Sequence, residues 1–213
     1  MKGVFEMSEN FEKNMAVSIS HKNSKMGEVP SVSLPPIVTC AKDCPCAGKC
    51  YAAKLCRIRK TVREAYARNL NILIADRAEY FRQVEFAASM ARYFRWHVSG
   101  DIVDSDYFCR MVDVVKNTKG TEHLCFTKRY DIVNAWMDKG NELPENLHIL
   151  YSGWGDEWAV PNPYNLPKAE VVFKGEEPKE NWKVCGGNCT TCACRGVGCW
   201  NMKKGDIVCF KEH

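Results

Sequence analysis

Histidine is scarce in this chain. There are five among 213 residues, and no two stand close enough to form the H-x₃₋₅-H half of a zinc finger. A surplus of one charge sign is missing too. Thirty basic residues face 26 acidic ones, for a net charge of +4, which does not call for nucleic acid and leaves room only for a local basic patch. No uncharged apolar run is long enough to cross a bilayer. The stretch MKGVFEMSENFEKNMAVS has no apolar core of signal-peptide length and is broken by charges. The expectation is a protein of the reducing cytoplasm with no membrane partner. Low-complexity tracts and long linkers are absent as well, so one core is expected; a chain of this length buries roughly 70% of its unfolded surface and needs no staples.

Cysteine, by contrast, is abundant. The thirteen cysteines are an odd number, which forbids complete internal pairing, and stable disulfides are rare in a reducing compartment. Clustered cysteines there point to metal. Ten of them fall in two short stretches, TCAKDCPCAGKCYAAKLC (Thr39–Cys56) and CGGNCTTCACRGVGC (Cys185–Cys199).

Between these stretches the pattern alternates. SVSL (Ser31–Leu34) reads as a strand closed by Pro35 and Pro36, and a further strand is expected at Met15–Ser20. Apolar residues at helical spacing predict a helix from Arg57 to Ala75. Asp76 with Glu79 forms a capping-box start for another helix reaching Ala91. Strands follow at Tyr93–Ser99, His123–Thr127, Leu147–Ser152 and Ala169–Phe173, with helices at Ser105–Thr118 and Arg129–Lys139. This recurrence is the mark of βαβ crossovers, hence an α/β fold on a parallel sheet, either open or a partial (β/α) barrel. The expected division is an N-terminal extension (1–30), an α/β core (31–180) and a Cys-rich C-terminal segment (181–213). Polar groups gather after the strands at Ser99–Asp101, Thr127–Arg129 and Ser152–Trp158, where parallel α/β folds build their sites. Four strand ends and the first cysteine loop are therefore expected to meet in one crevice.

Iron–sulfur clusters take cysteine thiolates, about four per cubane; structural zinc takes about four as well, usually from two separated knuckles. The C-terminal run C-x₃-C-x₂-C-x-C-x₄-C supplies Cys185, Cys189, Cys192 and Cys199, with Cys194 either spare or exchanged for Cys192. Gly186, Gly187, Gly196 and Gly198 suit a loop that wraps a cluster. In the N-terminal run C-x₃-C-x-C-x₃-C-x₅-C, the side chains of a C-x-C pair tend to diverge. Three or four ligands are expected there from Cys40, Cys44, Cys46 and Cys50, with Cys56 nearby. Loop cysteines without paired histidines fit two 4Fe-4S clusters better than zinc fingers, and zinc is the alternative. His97 and His123 read as core or surface residues, and Cys109, Cys125 and Cys209 as buried small hydrophobes. The basic run RIRKTVREAYAR (Arg57–Arg68) reads as a solvated helix face, and Trp154, Trp158 and Trp182 as packing residues.

Leu34-Pro35, Thr39-Cys40, Cys46 and Cys50-Tyr51-Ala52, followed by HVSGD (His97–Asp101), CFTKRY (Cys125–Tyr130) and a tail ending in Cys199-Trp200, together resemble the phage gene-product-88 family across residues 31 to 200. That family is similar to radical S-adenosylmethionine enzymes. The resemblance implies a cubane held by Cys40, Cys46 and Cys50 after the first strand, with one iron open to the cofactor. By position, Ser99, Gly100 and Asp101 would grip the cofactor's amino group, and Lys128 its carboxylate or a substrate phosphate. The C-terminal cluster would relay electrons from a donor such as a flavodoxin or ferredoxin, in the host cytoplasm of a phage. The trio's C-x₅-C-x₃-C spacing departs from the usual C-x₃-C-x₂-C, and Cys44 or Cys56 would close the cluster as a fourth ligand. Two other readings therefore stand beside the enzyme: a non-catalytic iron–sulfur electron carrier or scaffold, and a zinc-stabilised nucleic-acid-binding protein. The substrate is not specified by any residue pattern.

Overall fold

The computed structural model describes residues 16–156 and 158–212. Among these residues, eight strands form one sheet: β1 (Ile19–Ser20), β2 (Ser31–Val32), β3 (Tyr93–Trp96), β4 (Glu122–Thr127), β5 (Leu147–Ser152), β6 (Lys168–Val172), β7 (Lys183–Val184) and β8 (Ile207–Lys211). Their spatial order is β1-β2-β3-β4-β5-β6-β8-β7. Only β1 runs antiparallel to its neighbour, and the sheet is open, with β1 and β7 at its edges. Of the strand expected at Met15–Ser20, Met15 lies outside the described residues, and the remainder yields the short β1.

Among the described residues, six α-helices accompany the sheet: α1 (Tyr51–Ile58), α2 (Lys60–Ala75), α3 (Arg77–Ser89), α4 (Ser105–Asn117), α5 (Tyr130–Met137) and α6 (Cys189–Cys194). Among the described residues, no helix is long and apolar enough to cross a membrane. Asp76 caps α3 by accepting from the Glu79 amide, as its spacing predicts. The helix expected from Arg57 is in fact two, because Arg59 takes an extended conformation (φ −110°, ψ 96°) and breaks the hydrogen-bond ladder.

Side-chain alternation along the strands makes two cores. Phe94, Trp96, Cys125, Ile149 and Tyr151 face α2 to α5 and pack with Ile72, Tyr80, Phe108 and Val133. Leu124, Leu150, Ala169 and Val208 face the other way, onto Met26, Ala193, Trp200 and Met202. The Cys-rich segment thus covers the sheet face opposite the helices. A turn near the start of the described chain clasps it: Lys25 O accepts from Cys189 N, Met26 O accepts from Thr190 N, and Glu28 N donates to Thr190 Oγ1. Gly27 (φ 65°) is required there, since a Cβ would lie 2.5 Å from Thr190 Oγ1.

His97 and His123 are core residues. Trp96 Nε1 donates to His123 Nδ1 and the Tyr107 hydroxyl bonds His97 Nε2. Cys125 and Cys209 are buried, but Cys109 is exposed. It falls between the buried positions Phe108 and Met111 on the outer side of α4.

Candidate functional site

The first cysteine loop leaves β2 and is tied to the end of β3 at once, by Leu34 N donating to Ser99 O. Thr39 Oγ1 donates back to Pro35 O and packs on Gly100 (φ 76°), where a Cβ would lie 2.6 Å from that hydroxyl and 2.9 Å from Leu34 O. Gly100 is therefore needed for close backbone approach. A short 3-10 turn, Ala47–Lys49, leads into α1, whose N-cap is Cys50.

Cys44 Sγ lies 3.1 Å from Cys46 Sγ, so this C-x-C pair converges where divergence was expected. Cys46 has helical backbone angles (φ −81°, ψ −1°) as the 3-10 turn begins, whereas divergence belongs to extended chain. The two thiols are within hydrogen-bond distance of each other. Accepting from Cys46 pulls the Cys44 thiol down to about 6, with help from Lys128, while the same bond and burial push Cys46 up. Burial pushes Cys40 up to about 12, and the charges of Asp101, Cys44 and Cys50 also act on it. Cys40, Cys44, Cys46 and Cys50 thus form one electrostatic group.

Asp101 is buried and accepts three hydrogen bonds, from Thr127 Oγ1 (2.6 Å), Lys128 N (2.8 Å) and Ile102 N (2.8 Å). Its carboxylate welds the end of β3 to the end of β4 and fixes Lys128, whose ammonium donates to Ser152 Oγ at 2.6 Å. The Ser99 hydroxyl is buried and has no hydrogen-bond partner among the described residues. Glu170 on β6 adds a group that sequence reasoning missed. It is 7% exposed, Oε2 has no hydrogen-bond partner among the described residues, and burial raises its pKa despite Lys168 and Lys128. The signal for it was a lone acid within the apolar strand AEVVF. Beside the loop lies a groove of about 640 Å³ lined by Cys40, Lys42, Asp43, Arg129 and Trp158.

The second cysteine set is built on α6. Asn188 caps it by accepting from Thr191 N, and Cys189 and Cys192, three apart, share a helix face. Val197 N donates to Cys192 O. Gly198 (φ 68°) then returns the chain so closely that a Cβ would lie 3.2 Å from Cys192 Sγ. Trp200 is buried and donates Nε1 to Cys189 O. Cys185 follows β7, and its sulfur accepts from Gly187 N at 3.4 Å. Cys185, Cys189, Cys192 and Cys199 all pack against the second core, whereas Cys194 is exposed. Burial pushes Cys199 up to about 12, with Arg95 pulling the other way.

Among the described residues, no group of three or more His, Cys, Asp or Glu side chains meets closely enough to hold a single metal ion. A tetrahedral zinc ion needs its four sulfurs at about 2.3 Å from one point. Each set brings its thiols into one another's electrostatic field without offering a common point for a single ion, and thiols without histidine are the donor type that iron–sulfur clusters take. The basic residues Arg57, Arg59, Lys60 and Arg63 are exposed, but the break at Arg59 divides them between two helices.

No curated protein and no solved structure matches the chain. The model of a family described as Gene product 88 matches residues 7–211, which takes in both cysteine sets and every strand of the sheet. The chain therefore belongs to the Gene product 88 family, the phage family its motifs resemble.

Proposed function

We propose that this protein is a two-cluster iron–sulfur redox enzyme of radical S-adenosylmethionine type. Cys40, Cys46 and Cys50 are the candidate ligands of a catalytic cluster with one iron open, with Cys44 beside them as the thiol that could close it, and Cys185, Cys189, Cys192 and Cys199 are those of an auxiliary one. One observation carries the reading. The first thiol group lies at the carboxyl ends of β3 and β4, beside Lys128 and an open groove of about 640 Å³, while the second packs against the opposite sheet face.

When bound, a cluster at the first set would supply single electrons to a sulfonium cofactor. The chain's own groups would handle the rest. Lys128, held by Asp101 and Ser152, offers a fixed cation for a carboxylate or phosphate. Ser99 and Gly100 supply a hydroxyl and a close backbone. Asp101 acts through Lys128, since its oxygens already accept three donors. An electron donor of flavodoxin or ferredoxin type is the implied partner.

A second reading, a non-catalytic electron carrier, is favoured by the 3.1 Å approach of Cys44 to Cys46, which makes a fourth thiol available to close the first cluster. Purification without oxygen, followed by metal and sulfide analysis, tests both readings. Two cubanes require about eight iron and about eight sulfide per chain. The enzyme reading further requires that S-adenosylmethionine change the spectrum of one cluster. A colourless protein containing only zinc ends both readings. An unchanged spectrum, with Cys44→Ala losing as much iron as Cys46→Ala, leaves the carrier.

A further inference from the structure

We propose that Arg95 is the fixed counter-charge of the C-terminal cysteine set, raising the reduction potential of the centre held there and strengthening its hold on metal. This rests on the metal-centre reading above and adds the residue that sets the charge balance. Arg95 stands on β3, with its guanidinium carbon 4.5 Å from the centroid of the Phe126 ring. Nη1 lies 3.9 Å from Cys189 Sγ, and Nε is buried with no hydrogen-bond partner among the described residues. Among the described residues, Arg95 takes part in no ion pair with a carboxylate.

A guanidinium cannot shed its proton, and a partly buried cation without an anion is unfavourable. The Phe126 face attracts it but does not neutralise it. The sulfurs at issue are those of the second set, of which Cys189 is within reach by distance. They become anions when they ligate metal. Metal loading therefore supplies the partner that Arg95 lacks. Reduction adds one more negative charge to the same place, and a nearby fixed cation favours the more negative form. Stacking on Phe126 alone would not require a charged residue.

The test compares wild type with Arg95→Gln and Arg95→Lys, all prepared without oxygen and assayed for iron and sulfide. In a mediated titration, one electron passes from dithionite, which is oxidised, to the centre, which is reduced; no bond forms. In the Gln variant, the reduction equilibrium of one of the two centres is expected to fall at least tenfold, a shift of about 59 mV for a one-electron couple. The Lys variant recovers most of it. Unchanged potentials in a fully loaded Gln variant overturn the assignment. Arg95→Met, which keeps the apolar stem, replaces Gln if that variant does not fold. Cobalt(II) titrated into metal-stripped protein gives an arm independent of iron, read from thiolate-to-cobalt absorption. Cobalt binding at least tenfold weaker in the Gln variant supports Arg95 as counter-charge, and equal or absent binding in both proteins refutes it. Wild type without iron but with this cobalt difference removes the iron–sulfur reading and retains the role of Arg95.

Discussion

Asp101 commits both carboxylate oxygens inside the protein, to one hydroxyl and two backbone amides on neighbouring strand ends. An amide at this position has one acceptor oxygen and turns a donor toward a donor. Asp101→Asn should therefore lower unfolding stability by ~1–3 kcal/mol, the usual cost of unsatisfied buried donors, while iron content stays near wild type. Urea unfolding under nitrogen checks this, and a variant as stable as wild type contradicts it. The polar character of Ser99, Gly100, Asp101 and Lys128 was legible in the sequence, because a parallel fold brings the ends of its strands together. The inward use of the Asp101 carboxylate was not, since hydrogen bonds to amides across two loops leave no mark on residue spacing. Glu170 escaped for a related reason: one acid in a short strand reads as its solvent side.

Local periodicity carried most of the elements. The strands from β3 to β6, and α3 to α5 between and before them, were readable from periods of two and of about 3.6 residues, each written within a few positions. β7 has only two residues, and β8 lies beyond the second cysteine run, so neither has a window in which alternation stands out. The convergence of Cys44 and Cys46 depends on backbone angles that spacing does not encode. For the second set, the one-turn spacing of Cys189 and Cys192 selects Cys192 over Cys194, which points outward. Cys199→Ala should lose about half the iron, one of the two clusters that four-thiolate ligation implies, and Cys194→Ala should lose none. Iron assays on oxygen-free preparations check the pair, and equal losses contradict this ligand set.

At the scale of the molecule, acid is the predicted weakness. His97 and His123 are buried in the helix-side core and held neutral, with pKa values lowered by burial to about 3 and about 4 from 6.5. A depressed pKa contributes stability that is fully present above the unfolded value and is lost as pH falls toward the folded one. Each unit corresponds to ~1.4 kcal/mol, so stability should drop steeply between pH 6.5 and 4. His97→Gln, which retains an acceptor for the Tyr107 hydroxyl, should show a flatter profile in metal-stripped protein. Urea midpoints across that range check it, and parallel profiles for variant and wild type refute it.

The clasp between the turn at Met26 and the helix at Thr190 spans 164 residues of chain. At common rates of synthesis, the later segment emerges on the order of ten to thirty seconds after the earlier one. A nascent chain therefore carries its first five loop thiols before the other five exist, and any metal loading on the proposed reading would meet the strand-end crevice first. The far face is sealed only once the segment around Thr190 has emerged.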